Sequence, residues 1–251
     1  HVLLVQLVVA GRDGVHQNGD RGRPRMRHPV GMGAAEQIVF FDVDGCLVDS
    51  RQPILQSLNA AFVEHGLAEI TEADLHRHVG PPLEVTIREV LADHGRGGDD
   101  PAPVIASYRA VYVSLSVELA ATYPGVTEVL DVVGAEHPLG VVTSKPLHYA
   151  RPILDALGFS PRFGIMEGPG LTEVEPKTVT LGRALAASGA GTVAVMVGDR
   201  RHDVEAASAH GIASVGVTWG FGDADELHAA GAGAVIDHLR ELSGALTAVL
   251  G

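Results

Sequence analysis

Short unbroken apolar runs alternate along this chain with longer stretches whose apolar residues recur every three or four positions. The first run, Ile38–Phe41, predicts a strand buried on both faces. Pro53–His65 puts Ile54, Leu55, Leu58, Ala61 and Phe62 on one stripe and then meets Gly66, the pattern of an amphipathic helix and its stop. Another helix is expected from Thr71, with an acid in its first turn, ending before Gly80-Pro81-Pro82. Leu83–His94 and Pro103–Ala121 carry two further helical patterns. The chain from 51 to 122 therefore reads as helix, with no evident strand.

Beyond Tyr123-Pro124-Gly125 strands and helices alternate again. Strands are expected at Leu139–Val142, Phe163–Met166, Val193–Val197, Ser214–Val217 and Ala234–Ile236. Helices are expected at Val126–Ala135, Leu147–Leu157, Pro176–Ser188, Arg201–His210, Asp223–Ala230 and His238–Leu250. Such alternation predicts an α/β fold, a parallel sheet with helices on both faces. Residues 36–50 and 123–251 would form this core, and 51–122 a small helical insertion after the first strand. Residues 1–35 fit neither part. His1–Ala10 is apolar but too short to span a bilayer, and Gly11–Gly33 is rich in Gly and Arg without a period. A disordered extension outside the working domain is expected there, with a cleaved signal peptide as the lesser alternative.

Charge narrows the partners. The formal net charge is −13, and residues 1–35 hold five arginines against two acids, so the remainder is more acidic still. That surface offers no nucleic-acid footprint and no attraction to anionic membrane. An anionic ligand must be held locally, by a metal, by backbone N–H groups or by a few fixed cations. One cysteine, Cys46, allows no intramolecular disulfide, which fits a reducing cytoplasm; Cys46 itself reads as a small buried residue. Of the eighteen lysines and arginines only Lys145 and Lys177 are lysine, the compact ammonium that arginine does not replace.

In open α/β sheets ligands bind beyond the carboxyl ends of the strands. Asp42 and Asp44 follow the first expected strand; Thr143, Ser144 and Lys145 follow the second; Gly198, Asp199 and then Asp203 follow Val193–Val197. Lys177 opens a helix between them. Four acids at one edge repel unless a cation intervenes, and hard oxygen ligands suit Mg²⁺. Thr143 can donate its hydroxyl at the start of a helix whose N-terminus favours an anion, with Lys177 as a point charge beside it. Lys145 is a candidate substrate contact as well, although Pro146 leaves its direction open. Arg109, between Tyr108 and Tyr112, is a candidate for a substrate's anionic end, against the plainer reading of an exposed helix arginine.

Asp42-Val43-Asp44-Gly45, the strand ending Val141-Val142-Thr143-Ser144, Lys177, and Gly198-Asp199-Arg200-Arg201-His202-Asp203 resemble, in order, the four motifs of the haloacid dehalogenase superfamily. The likeness spans about 37–240 and makes the helical insertion look like that superfamily's small α-helical cap on a Rossmann-like core. It implies that Asp42 is a nucleophile forming an aspartyl-phosphate and that Asp44 is the general acid and base. It further implies that Asp42, the backbone carbonyl of Asp44 and Asp199 ligate Mg²⁺, with Asp203 as a ligand or close by. Thr143, Ser144 and Lys177 would then bind phosphate. Dehalogenases of the superfamily lack an Asp at the position of Asp44, so phosphoryl chemistry is expected.

Gly80-Pro81-Pro82-Leu83, Tyr123-Pro124-Gly125 and Thr143-Ser144-Lys145-Pro146 are similar to the phosphoglycolate phosphatases and the bacterial 5′-nucleotidase-like proteins beside them. Glu175-Pro176-Lys177-Thr178 departs from the Lys-Pro-x-Pro of the former and leans toward the latter. The expected substrate is a small phosphorylated metabolite or nucleotide. A phosphomutase of the same fold is the alternative enzyme. A phosphoryl-receiving module is the non-enzymatic one, disfavoured by chain length and by the order of the site residues.

Overall fold

Val39 and Phe41 face one side of the first strand while Ile38 and Phe40 face the other, and all four are buried. A strand apolar on both faces must lie inside a sheet covered on both sides. The computed structural model, which describes residues 37–79, 82–171 and 175–251, has that arrangement. Its strands are β1 (Gln37–Phe41), β2 (Leu139–Val142), β3 (Phe163–Glu167), β4 (Val193–Gly198), β5 (Ala213–Val217) and β6 (Ala234–Ile236). They form one six-stranded sheet in the order β3-β2-β1-β4-β5-β6, and every pairing is parallel. The fold is Rossmann-like α/β, as expected.

Helices α5 (Val126–Glu136), α6 (Leu147–Ala156) and α10 (Leu242–Leu250) pack on the Val39/Phe41 face, while α7 (Lys177–Ser188) and α8 (Arg201–Ala209) cover the Ile38/Phe40 face. Burying each Phe of β1 contributes about 1.5–3 kcal/mol of transfer free energy. The register does the positioning. Phe41 lies opposite Val141 of β2 and Val197 of β4, so the carboxyl ends of the three central strands stop at one level.

Between β1 and β2 the chain forms α1 (Arg51–Glu64), α2 (Leu75–His78), α3 (Leu83–Asp93) and α4 (Ala102–Glu118). These helices share a separate buried cluster, with Leu58, Phe62, Ile87, Leu91 and Tyr112 at its centre. The two connections to the sheet run side by side: Val48 bridges Thr122, and Asp49 N–H donates to the Ala121 carbonyl at 2.9 Å. The expected helix from Thr71 is instead a 3₁₀ turn, Glu72–Asp74, leading into one turn of α2. Thr71 N–H and its hydroxyl both donate to Asp74 Oδ2, at 2.8 and 2.7 Å, which tightens the entry, and Val79 is already extended. The expected helix from His238 likewise begins with a 3₁₀ turn, Leu239–Glu241, before α10. A short helix α9 (Ala224–Ala229) completes the set.

The expected extension 1–35 and the Gly80-Pro81 turn lie outside the described residues. Among the described residues no helix is long and apolar enough to cross a membrane.

Candidate active site

Asp42 begins where β1 ends. Its N–H still pairs with the Val197 carbonyl, at 2.9 Å, so the sheet itself sets its position. Its carboxylate accepts from Val43 N–H at Oδ1, at 2.7 Å, and meets Lys177 Nζ at Oδ2, at 2.8 Å. Lys177, at the first position of α7, also contacts Asp203 Oδ1, and both lysine and aspartates are nearly or wholly out of solvent. Burial lowers the Lys177 pKa, but the Asp203 and Asp42 carboxylates outweigh it and hold the ammonium above the ordinary lysine value.

Asp199 follows β4 and is fully buried. Phe221 N–H donates to its Oδ2 at 2.7 Å, whereas its Oδ1 has no hydrogen-bond partner among the described residues. Asp203 lies in the first turn of α8 and accepts from Arg200 N–H at 3.0 Å. Two glycines make these approaches possible. Gly45 turns at φ +79°, and a Cβ there would lie 2.0 Å from Asp199 Oδ2; one on Gly198 would lie 2.1 Å from Asp203 Cγ.

One oxygen from each of Asp42, Asp199 and Asp203 lies within 4.8 Å of the others, the spacing of a metal-binding set. Burial pushes the Asp42 carboxyl up to about 6 and the Asp199 carboxyl well above the carboxylate range, the latter helped by its acidic neighbours. Three buried carboxylates against one ammonium leave negative charge uncompensated, and Asp199 Oδ1 leaves a lone pair unused. A divalent cation with oxygen ligands fits both deficits. The Asp44 side chain stands apart from this trio, on Lys145.

Thr143 is buried just past β2, its N–H paired with the Glu167 carbonyl at 3.0 Å. Ser144 beside it is exposed. Lys145 N–H donates to Thr143 Oγ1 at 3.1 Å, and the Lys145 side chain turns inward: Nζ is 2.9 Å from Asp44 Oδ1 and also bonds the Tyr112 hydroxyl. Arg109 is half-buried on α4, and among the described residues no carboxylate pairs with it. All nine candidate residues, Asp42, Asp44, Arg109, Thr143, Ser144, Lys145, Lys177, Asp199 and Asp203, line one cavity of about 940 Å³ between the helical layer and the strand ends.

Three neighbouring residues have plain surroundings. Trp219 packs against the sheet core and donates from Nε1 to the Cys46 carbonyl at 3.1 Å. Cys46 is a buried core residue. His202 is half-buried at the cavity edge, beside Glu205. Three participants were not singled out in the sequence. Tyr112 stood out only as a neighbour of Arg109. Phe221 acts through its backbone. Arg183 clamps Glu175 with two bonds of 2.8 and 2.7 Å, together with Glu167 and the Gly168 carbonyl, and so fixes the approach to Lys177.

Residues 39–217 match the family described as haloacid dehalogenase-like hydrolase. The chain is 36% identical over 221 residues to the tyrosine-protein kinase PtkA of Mycobacterium tuberculosis, covering 84% of this chain and 74% of that protein. It is 33% identical over 195 residues to a 5′-nucleotidase of Pseudomonas aeruginosa, covering 76% and 86%. Identity to a phosphoglycolate phosphatase of Rhodospirillum rubrum is 32% over 213 residues, covering 81% and 88%. The crystal structure described as a "Putative Phosphatase from Clostridium difficile" superposes with a TM-score of 0.75 at 24% identity, covering 85% of this chain and 100% of that one, a likeness of fold alone. Matched over most of its length and carrying the strand-end carboxylates in the expected order, the chain belongs to the haloacid dehalogenase-like hydrolase family.

Proposed function

We propose that this protein hydrolyses a small phosphomonoester in the reducing cytoplasm, using Asp42 as nucleophile and Mg²⁺ as cofactor. The observation that carries the reading is the contact of Lys177 with Asp42 beside an Asp199 oxygen that lacks a partner. Relatives named 5′-nucleotidase and phosphoglycolate phosphatase support it. As a phosphoric monoester hydrolase of its family, the chain needs to hold a phosphoryl group, a nucleophile and a proton source together.

Asp42 attacks phosphorus; the bond to the leaving oxygen breaks, its electron pair stays on that oxygen, and Asp44 supplies the proton. Water then attacks the aspartyl-phosphate, Asp44 takes the water's proton, and Asp42 is regenerated. Lys177, Thr143 and Ser144 orient the phosphoryl oxygens and offset their charge. Asp42, Asp199, Asp203 and the backbone carbonyl of Asp44 would hold Mg²⁺, which supplies further charge neutralisation. Helices α1 to α4 act as the cap that shields the first step from water.

The test is phosphate release from an aryl phosphate, followed by a screen of phosphoglycolate, nucleoside monophosphates and sugar phosphates. Chelation should abolish turnover, and Asp42→Asn should lose it while melting normally. Undiminished turnover by that variant would remove Asp42 as the nucleophile. The likeness to a protein named a tyrosine kinase favours a second reading, phosphoryl transfer to a tyrosine hydroxyl. Incubation with ATP and a tyrosine-bearing peptide separates the two: phosphopeptide for one, free phosphate from monoesters for the other.

A further inference from the structure

Asp44 does not stand alone in the cavity. Lys145 Nζ lies 2.9 Å from Asp44 Oδ1, and the same ammonium donates to the hydroxyl of Tyr112. The Lys145 side chain is only 7% exposed and Tyr112 only 2%, so neither contact is a surface accident. Lys145 is anchored at its backbone, through Thr143 Oγ1, and its Nζ sits 4.7 Å from the Tyr112 ring centroid. Tyr112 is fixed in turn: Tyr108 stacks on it at 5.2 Å, and Tyr149 meets it edge-on at 5.6 Å. Tyr112 belongs to α4, while Lys145 and Asp44 belong to the strand-end loops. The contact therefore joins the helical layer to the carboxylate that handles the proton.

We propose that Lys145 and Tyr112 are positioning residues for Asp44, holding one carboxylate oxygen so that the other faces the leaving group only when α4 is docked. Resting on the phosphatase reading above, this gives Lys145 a role other than substrate contact. With Oδ1 in an ion pair with the ammonium, Oδ2 is the oxygen left to face the leaving group. As that proton transfers, negative charge develops on Asp44, and a preplaced cation stabilises it without reorganising. Tyr112 keeps the four-carbon lysine stem from swinging away, which a free lysine would do at little cost.

The test uses leaving groups that differ in their need for a proton. Benzyl phosphate releases a poor alkoxide and depends on the acid; 4-nitrophenyl phosphate releases a stable phenolate and does not. Lys145→Met should lower kcat/KM for benzyl phosphate about 100-fold, within the usual reach of general acid catalysis, and Tyr112→Phe about tenfold. For 4-nitrophenyl phosphate kcat/KM should change less than about threefold, because that ratio stops at the first bond cleavage. Nitrophenolate should instead appear in a burst, since the second step still needs Asp44 as base. Equal losses of kcat/KM on both substrates would overturn the proposal, as would an unchanged kcat/KM for benzyl phosphate. Tyr112→Phe removes a single hydroxyl and keeps the test available if Lys145→Met does not fold. Activity retained by Asp42→Asn would instead count against the phosphatase reading itself.

Discussion

Lys177 Nζ lies 2.8 Å from Asp42 Oδ2, joining the end of β1 to the first residue of α7 across a stretch of 135 positions in the chain. The same ammonium touches Asp203, so among the described residues it is the one fixed cation amid three buried carboxylates. Lys177→Met leaves those acids uncompensated. The variant should lose turnover and be destabilised by about 3–5 kcal/mol, the usual result of breaking a buried ion pair from one side. Urea denaturation in chelator reads the second effect; a change below about 1 kcal/mol would show that the pair is not buried in solution.

Cation binding should stabilise the fold, and more so at high pH. Burial raises Asp42 to about 6 from its ordinary 3.8, and Asp199 is raised as well, with Asp203, Lys177 and Asp44 as the neighbouring charged groups. A raised carboxyl means that the folded state binds more protons than the unfolded one in that window. Without a cation, the stability contributed by Asp42 is therefore present at low pH and is lost as pH rises through about 4 to 6, and the contribution of Asp199 falls in the same direction. Mg²⁺ takes the place of the protons. Melting temperatures with MgCl₂ and with chelator should differ more near pH 8 than near pH 5; an equal shift at both would contradict the placement of the ion among these acids.

Gly45→Ala should weaken cation affinity before it abolishes folding. A Cβ at that site meets Asp199 Oδ2 at 2.0 Å, and φ +79° disfavours any side chain. The strain costs more than about 1 kcal/mol. Displacement of Asp199 should move the Mg²⁺ activation curve to higher concentration, read by titrating turnover against metal. A lowered melting temperature with an unmoved activation curve would leave Gly45 with a turn-forming role alone.

Arg109 is the cavity-lining cation without a carboxylate partner among the described residues, since Lys145, Lys177, Arg200 and Arg201 all have one. Arg109→Gln should raise KM about tenfold for phosphomonoesters carrying a second anionic group, the worth of a charged hydrogen bond. Neutral phosphomonoesters should be unaffected. A uniform change across both classes would assign Arg109 to the packing of α4.

Much of the site was legible because a parallel sheet makes chain order predict place. Once the strands were recognised by their double-sided apolar runs, the residues after β1, β2 and β4 had to share an edge. The register of Phe41 with both Val141 and Val197 is the physical form of that rule. The entry to α2 was less legible, because Thr71 and Asp74 close a tight turn that periodicity does not register. Phe221 was hidden because it acts through an amide that every residue except proline carries.

The order of apolar runs, by itself, determined the layered α/β architecture, the inserted helices and the identity of the strand-end carboxylates. It did so because burial on two faces and a parallel register leave the polar strand ends one place to go. The direction of Lys145 was decided only by the tertiary structure. Its partner Tyr112 lies 33 residues away on another layer, so no local pattern could choose between a lysine turned to solvent and one held on Asp44. The shape of the 940 Å³ cavity was likewise set by how α4 docks on the strand ends, a packing between surfaces far apart in the chain.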